Sequence, residues 1–111
     1  MDEETMQHVT TAQAMAALQA ENTEYARIVS ERSGDLAIYR PRPTDPQGPH
    51  LRDEIYIVAS GSGVFMCAGA RRPFGPGDAI FVPRGTAHRF EDFTDDFATW
   101  VIFLGQAPSR L

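Results

Sequence analysis

From Asn22 onward, short apolar runs rich in β-branched and aromatic residues alternate with clusters of Gly, Pro, Asp and Ser. The runs are Tyr25–Ser30, Leu36–Arg40, Glu54–Ala59, Val64–Cys67, Ala79–Val82, His88–Phe93 and Phe97–Leu104. Each has the length of a strand, and each is bounded by residues that bend the backbone. The main breaks are Ser33-Gly34-Asp35, the long 41–49 segment, Gly61-Ser62-Gly63, Gly75-Pro76-Gly77-Asp78, Pro83-Arg84-Gly85 and Thr94-Asp95-Asp96. No helical pattern separates the runs, which argues against a βαβ architecture. The pattern predicts a β-sandwich or barrel. Before it, TTAQAMAALQA over Thr10–Ala20 predicts one short helix, capped by Thr10 with Gln13 completing a capping box. Ala14, Met15, Ala17 and Leu18 form its apolar stripe, suited to covering a sheet edge or end.

Two runs are apolar on both faces, EIYIVA from Glu54 and FATWVIFL from Phe97. A half-solvated antiparallel strand has one polar face, so both faces of these need cover. One can line the interior; the other needs the helix, a second sheet or another subunit. The chain has only 111 residues, one domain's worth, and a homodimer is the expectation. Trp100 is either a contact in it or a core residue. The predicted organisation is a tail and helix over 1–22, a domain over 23–106 and a tail over 107–111.

Charge and cysteine content narrow the partners. A net charge of -5 excludes the basic face that nucleic acid selects. A lone cysteine, Cys67, forms no internal disulfide, and a reducing compartment is the default. The start, Met1-Asp2-Glu3-Glu4, is acidic and lacks the pattern of a secretory signal. No apolar run reaches membrane-spanning length. The expected location is the cytoplasm, with no membrane or nucleic-acid partner.

The chemistry gathers at two places. Apart from His8 in the polar N-terminal stretch, the histidines are His50, on a short segment with Glu54, and His88, after a Gly/Pro-punctuated turn. Two imidazoles and a carboxylate can hold a transition metal and leave positions open for substrate. Taken singly, a loop histidine is an ordinary solvated side chain and a barrel histidine an ordinary hydrogen-bonded one. Geometry adds a condition: four residues of straight strand span about 13 Å, whereas donors lie within about 2 Å of a shared ion. Residues 50–54 must therefore bend, with continuous strand starting near Glu54. In the second segment Gly77 and Gly85 permit positive φ at the turns, Pro83 ends a strand, and His88 opens the next.

Gly77, Pro83, Gly85 and His88 resemble, position by position, the second motif of the cupin superfamily: glycine, five residues, proline, any residue, glycine, two residues, histidine. Asp92 stands where that pattern commonly ends in asparagine. His50, Glu54 and Gly61 fit the second histidine, the glutamate and the closing glycine of the first motif. Gly48 replaces its first histidine and Arg42 its opening glycine. The matching region runs from about Leu36 to Leu104. The resemblance implies a small single-domain cupin of six to eight strands: an antiparallel jelly-roll β-barrel with a short N-terminal helix. It implies His50, Glu54 and His88 as three of the usual four metal ligands.

One divalent transition metal per chain is the expected cofactor. Fe(II) is favoured by the two-histidine, one-carboxylate set; Mn, Ni, Co, Cu and Zn are compatible. The expected function is metal-dependent chemistry on a small organic molecule. Dioxygenase activity is the leading subclass, and isomerase, cyclase and decarboxylase activity are the others. The alternative is a non-catalytic barrel that holds a small ligand or metal with a degenerate site. Tyr39, Tyr56, Val58 and Phe90 are the expected pocket-lining residues: Tyr56 and Val58 share the period-two face of Glu54 and Phe90 that of His88, while Tyr39 and Arg40 lie on opposite faces of an earlier strand, so only one of them points inward. Arg27 or Arg40, if inward, would clamp a substrate carboxylate; solvent is their ordinary place. Cys67 reads as a packing thiol.

Overall fold

The computed structural model describes residues 6–46 and 48–108. One helix, α1 (Thr11–Glu21), precedes eight strands: β1 (Tyr25–Glu31), β2 (Gly34–Tyr39), β3 (Glu54–Ser60), β4 (Gly63–Cys67), β5 (Ala70–Phe74), β6 (Ala79–Val82), β7 (His88–Glu91) and β8 (Ala98–Leu104). The strands form two antiparallel sheets, one ordered β1-β2-β8-β3-β6 and the other β5-β4-β7. The sheets are not closed into a continuous barrel; the arrangement is consistent with a jelly roll. Among the described residues no helix is long and apolar enough to cross a membrane.

The helix forms as its sequence dictates. Thr10 accepts a hydrogen bond from the Gln13 amide, and the Gln13 side chain accepts one from the Thr10 amide. These reciprocal bonds satisfy two of the free donors at a helix start. Asn22, in the left-handed conformation, closes the other end. Ala14 and Leu18 are buried, with Ala26 and Ile38 of the sheet below, and Val9, Met15, Ile28 and Trp100 pack around them. Trp100 is half-buried at the margin of this cluster.

The helix covers only the β1–β2 end of the large sheet's outer face. Ile55, Ile57 and Ile102 are half-buried, and Phe81 is 56 % exposed. The cover expected for both faces of β3 and β8 is therefore partial within one chain.

Between the sheets lies the main core: Ala37, Tyr56, Val58, Phe65, Phe74, Val82, Phe90, Phe97 and Val101. Phe90 is its hub, with ring centroids 4.7–5.3 Å from those of Phe97, Tyr56, Phe65 and Phe74. Burying each such ring contributes on the order of 1.5–3 kcal/mol. Asp45, after β2, flanks this core, where it accepts hydrogen bonds from the Tyr39 hydroxyl (2.5 Å) and the Phe90 amide (2.8 Å).

One strand, β5, lies outside the apolar pattern. Arg71, Arg72 and Pro73 break the alternation, and four of the strand's five residues are exposed. It is an edge strand, the place where proline and charge are tolerated. The turn before it, Ala68-Gly69, has φ of 52° and 86°, the two positive values a tight hairpin needs.

Candidate metal centre

Two loops at one end of the sheets meet through the backbone. Residues 51 and 52 are bent and β3 begins at Glu54, as the strand-length argument requires. The Gly85 amide donates to the His50 carbonyl (2.8 Å), and the Arg84 amide donates to Asp53 Oδ1 (2.8 Å). These two bonds tie the His50–Glu54 bend to the turn that leads into His88. Gly85 sits at φ 76°, where a β-carbon is strained. Arg52 anchors the bend from outside: it pairs with Asp35 (2.9 Å), donates to the Gly105 carbonyl (3.0 Å) and lies 4.8 Å from the Phe103 ring centroid. A hydrogen bond from Ser30, and then Arg52, hold the Asp35 carboxyl below its usual range despite burial.

The result brings His50, Glu54 and His88 together. Each offers one ligand atom, and the three atoms lie within 4.8 Å of one another. Glu54 and His88 are buried and His50 is half-buried. His50 Nδ1 is 2.5 Å and His88 Nε2 3.1 Å from Glu54 Oε2. His88 Nδ1 lies 2.8 Å from the Thr86 carbonyl. A carbonyl can only accept, so Nδ1 carries a proton and Nε2 is the nitrogen aimed into the site. The Tyr56 hydroxyl is 3.0 Å from that same Nε2.

This arrangement fits a cation. A neutral imidazole lone pair and a carboxylate oxygen 3.1 Å apart repel, unless a proton or a metal ion lies between them. Burial alone pulls the His88 imidazole down, but the Glu54 hydrogen bond and the Thr86 carbonyl override it and leave its pKa raised. Burial pushes Glu54 up, but His50 and His88 bring it down to about 2. Glu54 Oε1 is buried and has no hydrogen-bond partner among the described residues. An orphaned carboxylate oxygen beside two imidazoles is the donor set a divalent ion satisfies.

A pocket of about 290 Å³ opens beside the group, lined by Tyr25, Tyr39, His50, Tyr56, Val101 and Phe103. Two of the expected lining residues, Tyr39 and Tyr56, are there. Val58 and Phe90 are buried in the main core instead, at 2 % and 1 % exposure. Neither arginine reaches this pocket. Arg27 is exposed, and Arg40 borders a cleft against α1. Cys67 is half-buried and pairs with His88 across β4 and β7. Tyr25 and Phe103 went unnoticed in the sequence, though period-two alternation relates Phe103 to the buried Val101.

The Cupin domain family model matches residues 35–103. The chain is a member of the cupin family. This cupin is 30 % identical over 86 residues to an uncharacterized protein of Streptomyces coelicolor, a match spanning 76 % of this chain and 82 % of the relative. Its structure is similar to the DMSP lyase DddQ of Ruegeria pomeroyi, with TM-score 0.64 and 23 % identity, over 78 % of this chain and 48 % of that one. It is also similar to a predicted oxalate decarboxylase of Thermotoga maritima, with TM-score 0.62 and 22 % identity, over 74 % and 79 % of the two chains. At these identities the likeness shows the fold, and this cupin spans only about half of the lyase chain.

The cupin motif's first histidine is Gly48 here, and the structure leaves room for it. A β-carbon at Gly48 would meet no atom within 4 Å, and the backbone there is not left-handed. Gly48→His is expected to tighten metal affinity by roughly tenfold, the equivalent of about 1.4 kcal/mol, measured by competition with a fluorescent chelator. Unchanged affinity would mean that position 48 faces away from Glu54.

Proposed function

We propose that this cupin holds one divalent transition metal, Fe(II) by preference, through His50, Glu54 and His88, and acts on a small molecule in the adjoining pocket. The observation that carries this reading is the buried meeting of two imidazoles and a carboxylate against an aromatic-lined cavity. When bound, the metal supplies Lewis acidity to a substrate oxygen. The residues of the chain do the rest. The Thr86 carbonyl fixes the His88 tautomer, and Arg52 and Asp53 hold the bend that presents His50. Phe103, Val101 and Tyr39 give the pocket an apolar wall. Tyr56 places a hydroxyl 3.0 Å from a ligand nitrogen, where it can give or take a proton at a substrate atom.

A Lewis acid beside one proton-transfer group suits elimination, isomerisation or decarboxylation. The names of two structurally similar proteins, a lyase and a predicted decarboxylase, agree with that class. A second reading, dioxygenase chemistry, is favoured by the ligand set, which is the one non-haem Fe(II) oxygenases use. Untagged protein purified without chelator should carry about one metal per chain by elemental analysis. Turnover of small-molecule candidates in an oxygen electrode then separates the readings. Product formed without oxygen uptake supports proton-transfer chemistry, and uptake matching product supports the second reading. Protein without metal, and with no metal-dependent change in melting temperature, would be a non-catalytic binding module.

A further inference from the structure

Two neighbouring residues at the end of β2 serve different cavities. Tyr39 lines the metal pocket, while Arg40 borders a cleft of about 480 Å³ between α1 and the segment leaving β2. Met15 and Leu18 give this cleft an apolar side, and Asn22, Glu24, Arg40 and Arg42 a polar one. Its two guanidinium groups converge on one neutral acceptor. Arg40 Nη2 and Arg42 Nη2 both donate to the Asp95 carbonyl, at 3.1 and 3.3 Å.

Two cations drawn to a single carbonyl repel each other unless an anion offsets them. Among the described residues none does: the arginine ion pairs there involve Arg52, Arg71 and Arg89, and neither Arg40 nor Arg42. Glu24 lines the cleft but forms no ion pair with them. Arg40 Nε is also buried with no hydrogen-bond partner among the described residues, which is costly for a charged group. The chain has 15 acidic residues against 10 basic ones, so a pair of arginines with no acidic partner runs against its composition.

We propose that this cleft is a second binding site, separate from the metal centre. It takes a small molecule with an oxyanion group, carboxylate or phosphate, and a short apolar portion. Arg40 and Arg42 grip the oxyanion, for which the planar guanidinium fork is suited, and Met15 and Leu18 meet the apolar part.

The test is a ¹H–¹⁵N NMR titration of the whole chain with inorganic phosphate and, separately, butyrate, at constant ionic strength against chloride. Saturable shifts are expected at the amides of Asn22, Thr23, Arg40, Arg42 and Asp95. Saturation by phosphate, butyrate or both supports the site and names its ligand class. Arg42→Gln, an exposed change, should weaken binding roughly tenfold by removing one charge-assisted contact, and Arg40→Gln should do at least as much. Three results would overturn the proposal: shifts that match chloride, shifts confined to the loops around His50 and His88, or an unchanged affinity in Arg42→Gln.

Discussion

His88→Ala is expected to abolish metal binding and to lower stability in two separate ways. The first is mass action. At free metal a thousandfold above Kd, an ion bound only by the folded chain adds about 4 kcal/mol. For a chain of this length that is a melting-temperature difference on the order of 15 °C. EDTA should produce that drop in the wild type and none in His88→Ala. The second arises without metal. Glu54 is 1 % exposed, and its charge is held by hydrogen bonds from His50 and His88. Removing one partner of a buried ionic group costs about 3–5 kcal/mol, so metal-free His88→Ala should melt well below metal-free wild type. Glu54→Gln is the control. It removes the charge with the shape kept, so it should lose the EDTA response at a smaller cost to the metal-free protein. Calorimetry with and without EDTA reads all three proteins. An EDTA-sensitive melting temperature surviving in His88→Ala would place the metal elsewhere.

The turn Gly77–His88 and the bend at 50–54 were legible in the sequence because both rest on local rules. Glycine and proline spacing sets the first, and the rise of a strand forces the second. The helix cap at Thr10 was legible for the same reason. β5 was not, because an edge strand carrying Arg71, Arg72 and Pro73 lacks the apolar alternation by which strands are recognised. The expectation of a closed barrel met two separate sheets, since alternation reports which face is buried and not which edges pair. The support of the site was the least visible part. Asp45 bonds an amide 45 positions away, and Arg52 closes on Asp35 and Gly105. Such contacts depend on how loops cross the fold. Tyr56 is intermediate: period two puts it on the face of Glu54, but its approach to His88 needs the spacing between the two sheets.

That approach makes Tyr56 the residue whose loss should cost most in turnover. Tyr56→Phe keeps the ring that packs against Phe65 and Phe90, at 5.8 and 4.8 Å between centroids. It deletes only the hydroxyl. Metal content should therefore stay near that of the wild type, and folding stability should fall by about 1–2 kcal/mol, the net value of the hydrogen bonds the hydroxyl makes with His88 and Glu54. If the hydroxyl moves a proton at the substrate, kcat should fall by about a hundredfold or more. KM should change little, because the aromatic wall remains. The limb of the pH–rate profile that reports this group should also disappear. A tyrosine that merely orients His88 gives a different pattern: metal affinity weakens, the pH profile keeps its shape, and saturating metal restores the rate. Dioxygen chemistry at the same ligands needs no proton from this position. A variant that consumes oxygen at the wild-type rate would therefore transfer the argument to the second reading, with His50, Glu54 and His88 unchanged in their roles.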